Sequence, residues 1–187
     1  MTLAGIMKLA MRQLDEAMED IAEYDELFRS YANMGYMIAI RQFFRPRETF
    51  DLITDETGCA RMDTLPIRRV VLVMNMRGEE IRFGISADGK RIETDECAQM
   101  VRAVCEVDRK PLERDTDEPM LPQYVHAALA DYICYRHLSS GSLSKQSRAE
   151  FFRQSFYQQM RAIASQGEGS VTRIKNLYAV TSARYRH

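Results

Sequence analysis

The chain has 187 residues, of which 45% are hydrophobic and 28% are charged, and its formal net charge at pH 7 is −1. This composition is ordinary for one soluble globular domain, and it lacks the basic excess of a dedicated nucleic-acid reader. No apolar run approaches the roughly 18 residues of a membrane span, and Lys8 and Arg12 interrupt the apolar N-terminal stretch. We therefore expect no membrane segment, no signal peptide and a cytoplasm-like compartment.

The charge is spread unevenly along the chain. Residues 1–30 contain seven acids and three bases, a net charge of −4, whereas residues 142–165 and 166–187 each contain four bases and one acid, a net charge of +3. Two interpretations are open. Either these segments are solvated faces, or an acidic face and a basic face meet between copies of the same chain.

Two helices are predicted at the N-terminus. The first is a long amphipathic helix that begins after Thr2 as N-cap and packs inside its own bundle or against a partner helix. Its apolar seam is Leu3, Met7, Ala10, Leu14, Ala17 and Ile21. The second begins near Asp25 and ends before Pro46, because a residue that precedes proline avoids helical dihedrals. Its shared face is Leu27, Tyr31, Met34, Ile38 and Arg41, and the apolar stretch 34–44 predicts the most buried helix of the protein.

Strand-forming residues replace the helical period between about residues 48 and 108. They predict strands at 49–54, 67–74, 80–85 and 91–94, with turns at Thr57-Gly58, Asn75–Gly78 and Asp88-Gly89. Residues 100–107 predict a further strand, with a helix from Glu96 as the alternative. Strands that are flanked by helices indicate an α+β protein, here a helical bundle with a small inserted antiparallel β region.

A helical hairpin is predicted from Leu121 to Ile163. Pro122 suits the first turn of a helix, a Ser/Gly break at 139–142 interrupts the pattern, and a second helix follows from 144 to 163. The apolar faces are Leu121, Val125, Ala128, Leu129 and Tyr132 in the first helix, and Ala149, Phe152, Phe156, Met160 and Ile163 in the second. The residues expected to form the hairpin core or an oligomer contact are Tyr124, Leu129, Tyr132, Phe152 and Phe156.

An extended C-terminal arm is predicted at 166–187, which leaves residues 1–165 as the main domain. The arm opens with a linker composition at 166–170, and mixed aromatic and basic residues follow. Such residues are typical of interface anchors, although a frayed chain end is the alternative. The predicted partner-binding residues are Arg173, Lys175, Leu177, Tyr178, Arg184, Tyr185 and Arg186.

The sequence contains no recognisable catalytic, metal or cofactor motif. GxGxxG, Walker, HExxH and GxSxG patterns are all missing. The cysteines are expected to be small buried residues rather than ligands, and they are Cys59, Cys97, Cys105 and Cys134. His126 and His137 are expected to be half-buried packing residues, and the acids from Asp115 to Glu118 a solvated charge run in a loop. We therefore predict no catalytic residue, no metal and no cofactor.

Three stretches carry a resemblance to a known family. They are Tyr24–Ile53, where a charged helix start leads to an apolar helix and a strand; Thr57–Val73, with Leu65-Pro66 before a strand; and the segment from Leu121-Pro122-Gln123-Tyr124 through the Phe/Tyr/Gln-rich helix at 151–160. In this order they resemble the head–tail adaptor (connector) proteins of tailed bacteriophages, including the tail tubular protein A group of podophages. The likeness covers most of residues 1–165.

This resemblance implies a structural virion protein that is not an enzyme. Its copies would form a ring, commonly a dodecamer, beneath the portal protein, and the strand-rich part would project toward a downstream tail or neck protein. Double-stranded DNA would pass through the ring without being read, and the C-terminal segment would reach the portal or a neighbouring copy. The implied locations are the virion neck and, during assembly, the host cytoplasm. The alternative function is a small cytoplasmic regulatory or nucleic-acid-binding module that uses its basic C-terminal half.

Overall fold

A computed structural model describes residues 1–15 and 21–162, without the side chains of residues 21 and 22. It confirms the α+β class, because helices at both ends of the described chain flank antiparallel strands. The chain divides into a helical unit, formed by Met1–Phe44 and the chain from Lys110 onward, and a β unit, formed by Arg45–Arg109. None of the helices in the described residues is both long and apolar enough to cross a membrane. The predicted arm at 166–187 lies outside the described residues.

The described residues of the helical unit form four α-helices. They are α1 (Leu3–Leu14), α2 (Ile21–Ile38), α3 (His126–Leu138) and α4 (residues 143–162). A π-helical segment, Ala39–Phe44, extends α2, and a 3-10 turn, Gln123–Val125, leads into α3. Side chains from all four helices form one apolar core.

Helix α1 is shorter than the sequence predicts. Thr2 is its N-cap, since the Thr2 hydroxyl accepts a hydrogen bond of 3.2 Å from the N–H of Gly5. The helix ends at Leu14, because Asp15 adopts a left-handed backbone conformation with φ 60° and its N–H bonds back to the carbonyl groups of the last turn. The prediction of one continuous helix through Ile21 is therefore wrong.

The buried face of α2 differs from the predicted one. The buried residues are Phe28, Ala32, Tyr36, Ala39 and Ile40, while Leu27 and Met34 are 41% and 40% exposed. Gly35 explains the difference, because a Cβ atom there would lie 2.9 Å from the Tyr132 ring of α3. The glycine lets α3 approach this side of α2. The prediction that 34–44 forms the most buried helix is also wrong, since Met34 and Phe44 are exposed.

Helices α3 and α4 form a hairpin around the break at 139–142. Helix α3 is enclosed on most sides, and its buried residues are His126, Ala128, Leu129, Ala130, Asp131, Tyr132, Ile133, Cys134 and Leu138. Helix α4 buries Ala149, Phe152, Phe156 and Met160. Tyr124 is 63% exposed in the 3-10 turn ahead of α3, so it is not part of the hairpin core, and its alternative role in an oligomer contact stays a prediction.

The β unit consists of two three-stranded antiparallel sheets, with strand orders β1-β6-β3 and β2-β5-β4. The strands are β1 (Arg47–Ile53), β2 (Cys59–Arg61), β3 (Ile67–Asn75), β4 (Phe83–Ile85), β5 (Arg91–Thr94) and β6 (Met100–Val107). Residues 100–107 therefore form a strand and not the alternative helix. The turn at Asp88-Gly89 is confirmed, with Gly89 at φ 70° between β4 and β5. Strand β2 was not predicted.

Candidate interaction surface

The described residues contain no cluster of side chains suited to metal binding. No group of three or more His, Cys, Asp or Glu in this part of the chain could hold a metal ion. Burial raises the pKa of Cys105 to about 11 and that of Cys134 to about 12, so both thiols stay protonated at neutral pH. Cys97 is exposed, which corrects the expectation that all four cysteines are buried. His126 is buried, not half-buried, with Nε2 2.9 Å from the carbonyl oxygen of Leu121.

The most distinctive surface feature is an arginine that lies against two tyrosine rings. The Cζ atom of Arg136 on α3 is 5.6 Å from the ring centroid of Tyr31 on α2 and 6.0 Å from that of Tyr135. Both distances are within the range of cation–π attraction. The Arg136 Nε is buried and has no hydrogen-bond partner among the described residues. A buried N–H donor without an acceptor is unfavourable.

Helix α4 carries two further arginines. Arg153, Tyr157 and Arg161 follow one another at intervals of four residues, so they share one side of the helix. Together with Gln154 and Gln158, they line an open concavity of about 440 Å³.

Electrostatic contacts connect the two groups of residues. Hydrogen bonds to Glu150 are the main cause of the raised pKa of Arg153, and Tyr135 and Tyr157 contribute to it as well. Arg153 therefore lies within electrostatic range of Tyr135, one of the two tyrosines that flank Arg136. We call the combined set the tyrosine–arginine surface, and it comprises Tyr31, Tyr135, Arg136, Arg153, Tyr157 and Arg161.

Apolar side chains of α2 adjoin this surface. Leu27, Met34 and Ile38 lie on the same side of α2 as Tyr31, because they are four, three and seven residues away from it. Leu27 and Met34 belong to the face that was predicted to be buried, and both are exposed. Tyrosine and arginine residues beside exposed aliphatic side chains are typical of the residues that anchor protein–protein contacts.

A buried carboxylate holds the underlying helices together. Asp131 on α3 is 6% exposed and accepts hydrogen bonds from Gln13 Nε2 of α1 at 2.9 Å, and from Ser155 Oγ and Gln159 Nε2 of α4 at 2.6 and 2.9 Å. Burial raises the pKa of Asp131, and the three hydrogen bonds oppose that shift. Because Ser155 and Gln159 alternate with the exposed residues of α4, this network fixes the orientation of the basic side of that helix.

The structure separates the predicted site residues into three groups. The partner-binding residues of the arm all lie beyond residue 162, outside the described part. Tyr132 and Phe156 pack beneath the tyrosine–arginine surface, with ring centroids 4.9 Å apart, and Phe156 contacts Tyr157 at 5.2 Å. Leu129 and Phe152 are also buried, whereas Tyr124 is exposed.

Sequence reasoning missed the tyrosine–arginine surface itself. The regular spacing of Arg153, Tyr157 and Arg161 was a usable signal for the α4 part of it. The contact between Arg136 and Tyr31 joins residues that are 105 positions apart, and no local pattern predicts it.

No protein-family model matches the chain, and a search of curated protein sequences finds no match. Its function must therefore be inferred from its residues and their geometry.

Proposed function

We propose that the chain is a structural head–tail adaptor of a tailed bacteriophage. Its copies form a ring beneath the portal, connect the capsid to the tail and surround part of the DNA channel. The observation that carries this proposal is the tyrosine–arginine surface, which has the composition of a protein contact and lies on a hairpin whose sequence resembles that of adaptors. The resemblance over residues 1–165 supplies the specific function, and the surface supports a role in assembly.

The geometry favours binding over catalysis. Arg136 and Arg153 supply positive charge, of which that of Arg153 is paired with Glu150 at 2.6 Å, and the tyrosines supply rigid contact area. The buried thiols are protonated at neutral pH, and the raised pKa of Asp131 belongs to a residue enclosed by α1, α3 and α4. In this proposal the chain is not an enzyme and requires no cofactor.

The proposed partners are the portal protein, a downstream tail or neck protein, and other copies of the chain in a ring. By the resemblance to adaptors, this ring is a dodecamer. The basic arm at 166–187 docks on an acidic surface of the portal or of a neighbouring copy. Double-stranded DNA passes through the ring without being read. The protein is located in the virion neck and, during assembly, in the host cytoplasm.

The proposal is tested by electron microscopy of the chain after co-expression with the portal protein of the same genome. We expect a ring of density on one face of the portal that is missing when the portal is expressed alone. A portal without added density, after co-purification at saturating concentrations of the chain, would count against the adaptor role. A variant that lacks residues 169–187 tests the arm, since it should bind the portal more weakly.

A nucleic-acid-binding module is the second candidate, and the exposed Arg153 and Arg161 beside Tyr157 favour it. Arginine next to a tyrosine that can stack on a base is a feature of single-strand binding proteins. Binding to duplex and single-stranded DNA, measured over a range of salt concentrations, separates the two functions. Affinity that falls steeply with salt and is lost when Arg173, Lys175, Arg184 and Arg186 are replaced would favour the module.

A further inference from the structure

An acidic loop leads from the β unit toward α3. Residues 113–118 contain four acids and one base, a net charge of −3. The Asp117 carboxylate accepts hydrogen bonds of 2.9 Å from the backbone N–H groups of Arg114 and Glu113, and these bonds lower its pKa. The side chain of Glu118 is 62% exposed and lies 3.6 Å from the N-terminal ammonium group of Met1, and Met120 is 57% exposed. The loop thus presents carboxylates next to an apolar side chain.

The acidic loop is attached firmly to the helical unit. The carbonyl oxygens of Asp117 and Asp115 accept hydrogen bonds of 2.8 and 3.1 Å from the first N–H groups of α1. On the other side, Arg29 of α2 donates to the Asp115 carboxylate and to the carbonyl oxygen of Glu113, both at 2.7 Å. A fixed loop loses little conformational entropy when it binds a partner.

The acidic loop and the tyrosine–arginine surface lie on opposite sides of α2. Arg29, which holds the loop, and Tyr31, which belongs to the surface, are two residues apart and therefore about 200° apart around the helix axis. Complementary surfaces on opposite sides of one unit cannot both be satisfied in a two-fold dimer. They join copies head to tail, which produces a ring when the rotation closes.

We infer that the acidic loop of one copy binds the tyrosine–arginine surface of the next copy. Glu113 and Glu118 form ion pairs with Arg153 and Arg161 of the neighbour, since arginine binds carboxylates with directional hydrogen bonds. Met120 packs on the apolar border of the surface. This contact rests on the proposed function, for which it supplies the ring interface.

Charge and shape argue for this occupant over two others. The chain's own arm carries a net charge of +3, so the arginines of the surface repel it. Nucleic acid would satisfy the arginines but would leave Leu27 and Met34 exposed to water. The acidic loop can pair with the arginines and also cover the apolar residues, because it brings carboxylates and an exposed methionine together.

Two charge-reversed variants of the full chain test the contact. Glu113→Lys/Glu118→Lys alters the loop, and Arg153→Glu/Arg161→Glu alters the surface. In sedimentation experiments the wild-type protein should self-associate, and each variant should associate at least about tenfold more weakly. An equimolar mixture of the two variants should recover self-association, since both contacts between unlike copies then join opposite charges.

A variant that carries both pairs of substitutions should recover self-association, because the two charges are exchanged. The matched controls are Glu26→Lys/Glu56→Lys and Lys8→Glu/Lys145→Glu, which change exposed charges of the same sign elsewhere and should associate like wild type. Circular dichroism confirms that every variant is folded.

A wild-type chain that stays monomeric up to about 1 mM would overturn the contact, and so would reversed variants that associate like wild type. The outcome is separable from the adaptor role. If the portal binds the chain but the charge reversals change nothing, this contact is wrong and the proposed function stands. If the mixture associates as expected but the portal binds nothing, the proposed function is wrong and the contact stands.

Discussion

The Ser155 hydroxyl of α4 donates a hydrogen bond of 2.6 Å to the buried carboxylate of Asp131 on α3. Gln13 of α1 donates to the other oxygen of the same carboxylate. One acidic side chain thus links three helices, and its partners are all uncharged. Because neutral donors stabilise a buried negative charge less than a cation does, this network is sensitive both to deletion and to pH.

Replacement of Asp131 by alanine should lower the free energy of unfolding by about 2–4 kcal/mol. The change leaves donors from Gln13, Ser155 and Gln159 without an acceptor in a buried position. Urea denaturation followed by circular dichroism measures the loss. The control is Glu56→Ala, which removes an exposed carboxylate and should change stability by less than about 0.5 kcal/mol. A loss of that small size for Asp131→Ala would show that the network contributes nothing.

The stability contribution of Asp131 should fall as pH rises. Its folded-state pKa is raised above 3.8, so the pH-dependent part of the contribution is complete below that value and is lost as the pH rises through the folded-state pKa. The free energy of unfolding of wild type minus that of Asp131→Asn, measured from about pH 3 to pH 7, should therefore decrease with pH. An increase would contradict the burial of the charge.

The contribution of Glu150 to stability should change with pH in the opposite direction. Its hydrogen bonds to Arg153 and then Gln154 lower its pKa from 4.5 to about 2. Its contribution is present above 4.5 and is lost as the pH falls toward 2. The difference between wild type and Glu150→Gln should therefore rise with pH over that window, which makes this variant an internal control for the sign of the Asp131 effect.

Two phenylalanines of α4 should respond very differently to alanine substitution. Phe156 is fully buried against Tyr132 and Tyr157, and Phe156→Ala should cost roughly 3–5 kcal/mol because it leaves a cavity. Phe151 is 68% exposed, and Phe151→Ala should cost less than about 1 kcal/mol. Thermal and urea denaturation compare them directly. Similar losses for the two variants would mean that the buried side of α4 is assigned incorrectly.

Periodicity predicted much of the fold because the relevant information is local. The buried positions Ala149, Phe152, Phe156 and Met160 repeat every three or four residues. In strand β6, exposed and buried residues alternate over the first four positions, and both faces are largely buried after that. The end of α1 was not predictable in this way. It depends on the left-handed conformation of Asp15, which the spacing of apolar residues does not reveal.

The candidate surface was less predictable, since it depends on contacts across the chain. In the sequence, Arg136 is one basic residue near the end of a predicted helix. Only the fold places Tyr31 beside it. The same holds for the orientation of α2. Several of its faces carry apolar residues, so hydrophobicity alone does not show which face is buried, and a glycine decides it by allowing close approach.

Gly35→Ala tests that explanation. The new Cβ atom would lie 2.9 Å from the Tyr132 ring, and the ring or the helix would have to move. We expect a net loss of about 1–2 kcal/mol, because an overpacking cost of about 1–3 kcal/mol exceeds the helix-propensity gain of up to about 1 kcal/mol. Ser30→Ala, at an exposed position of the same helix, isolates the propensity effect and should be neutral or slightly stabilising. If Gly35→Ala were as stable as Ser30→Ala, the close approach of Tyr132 would not determine which side of α2 is buried.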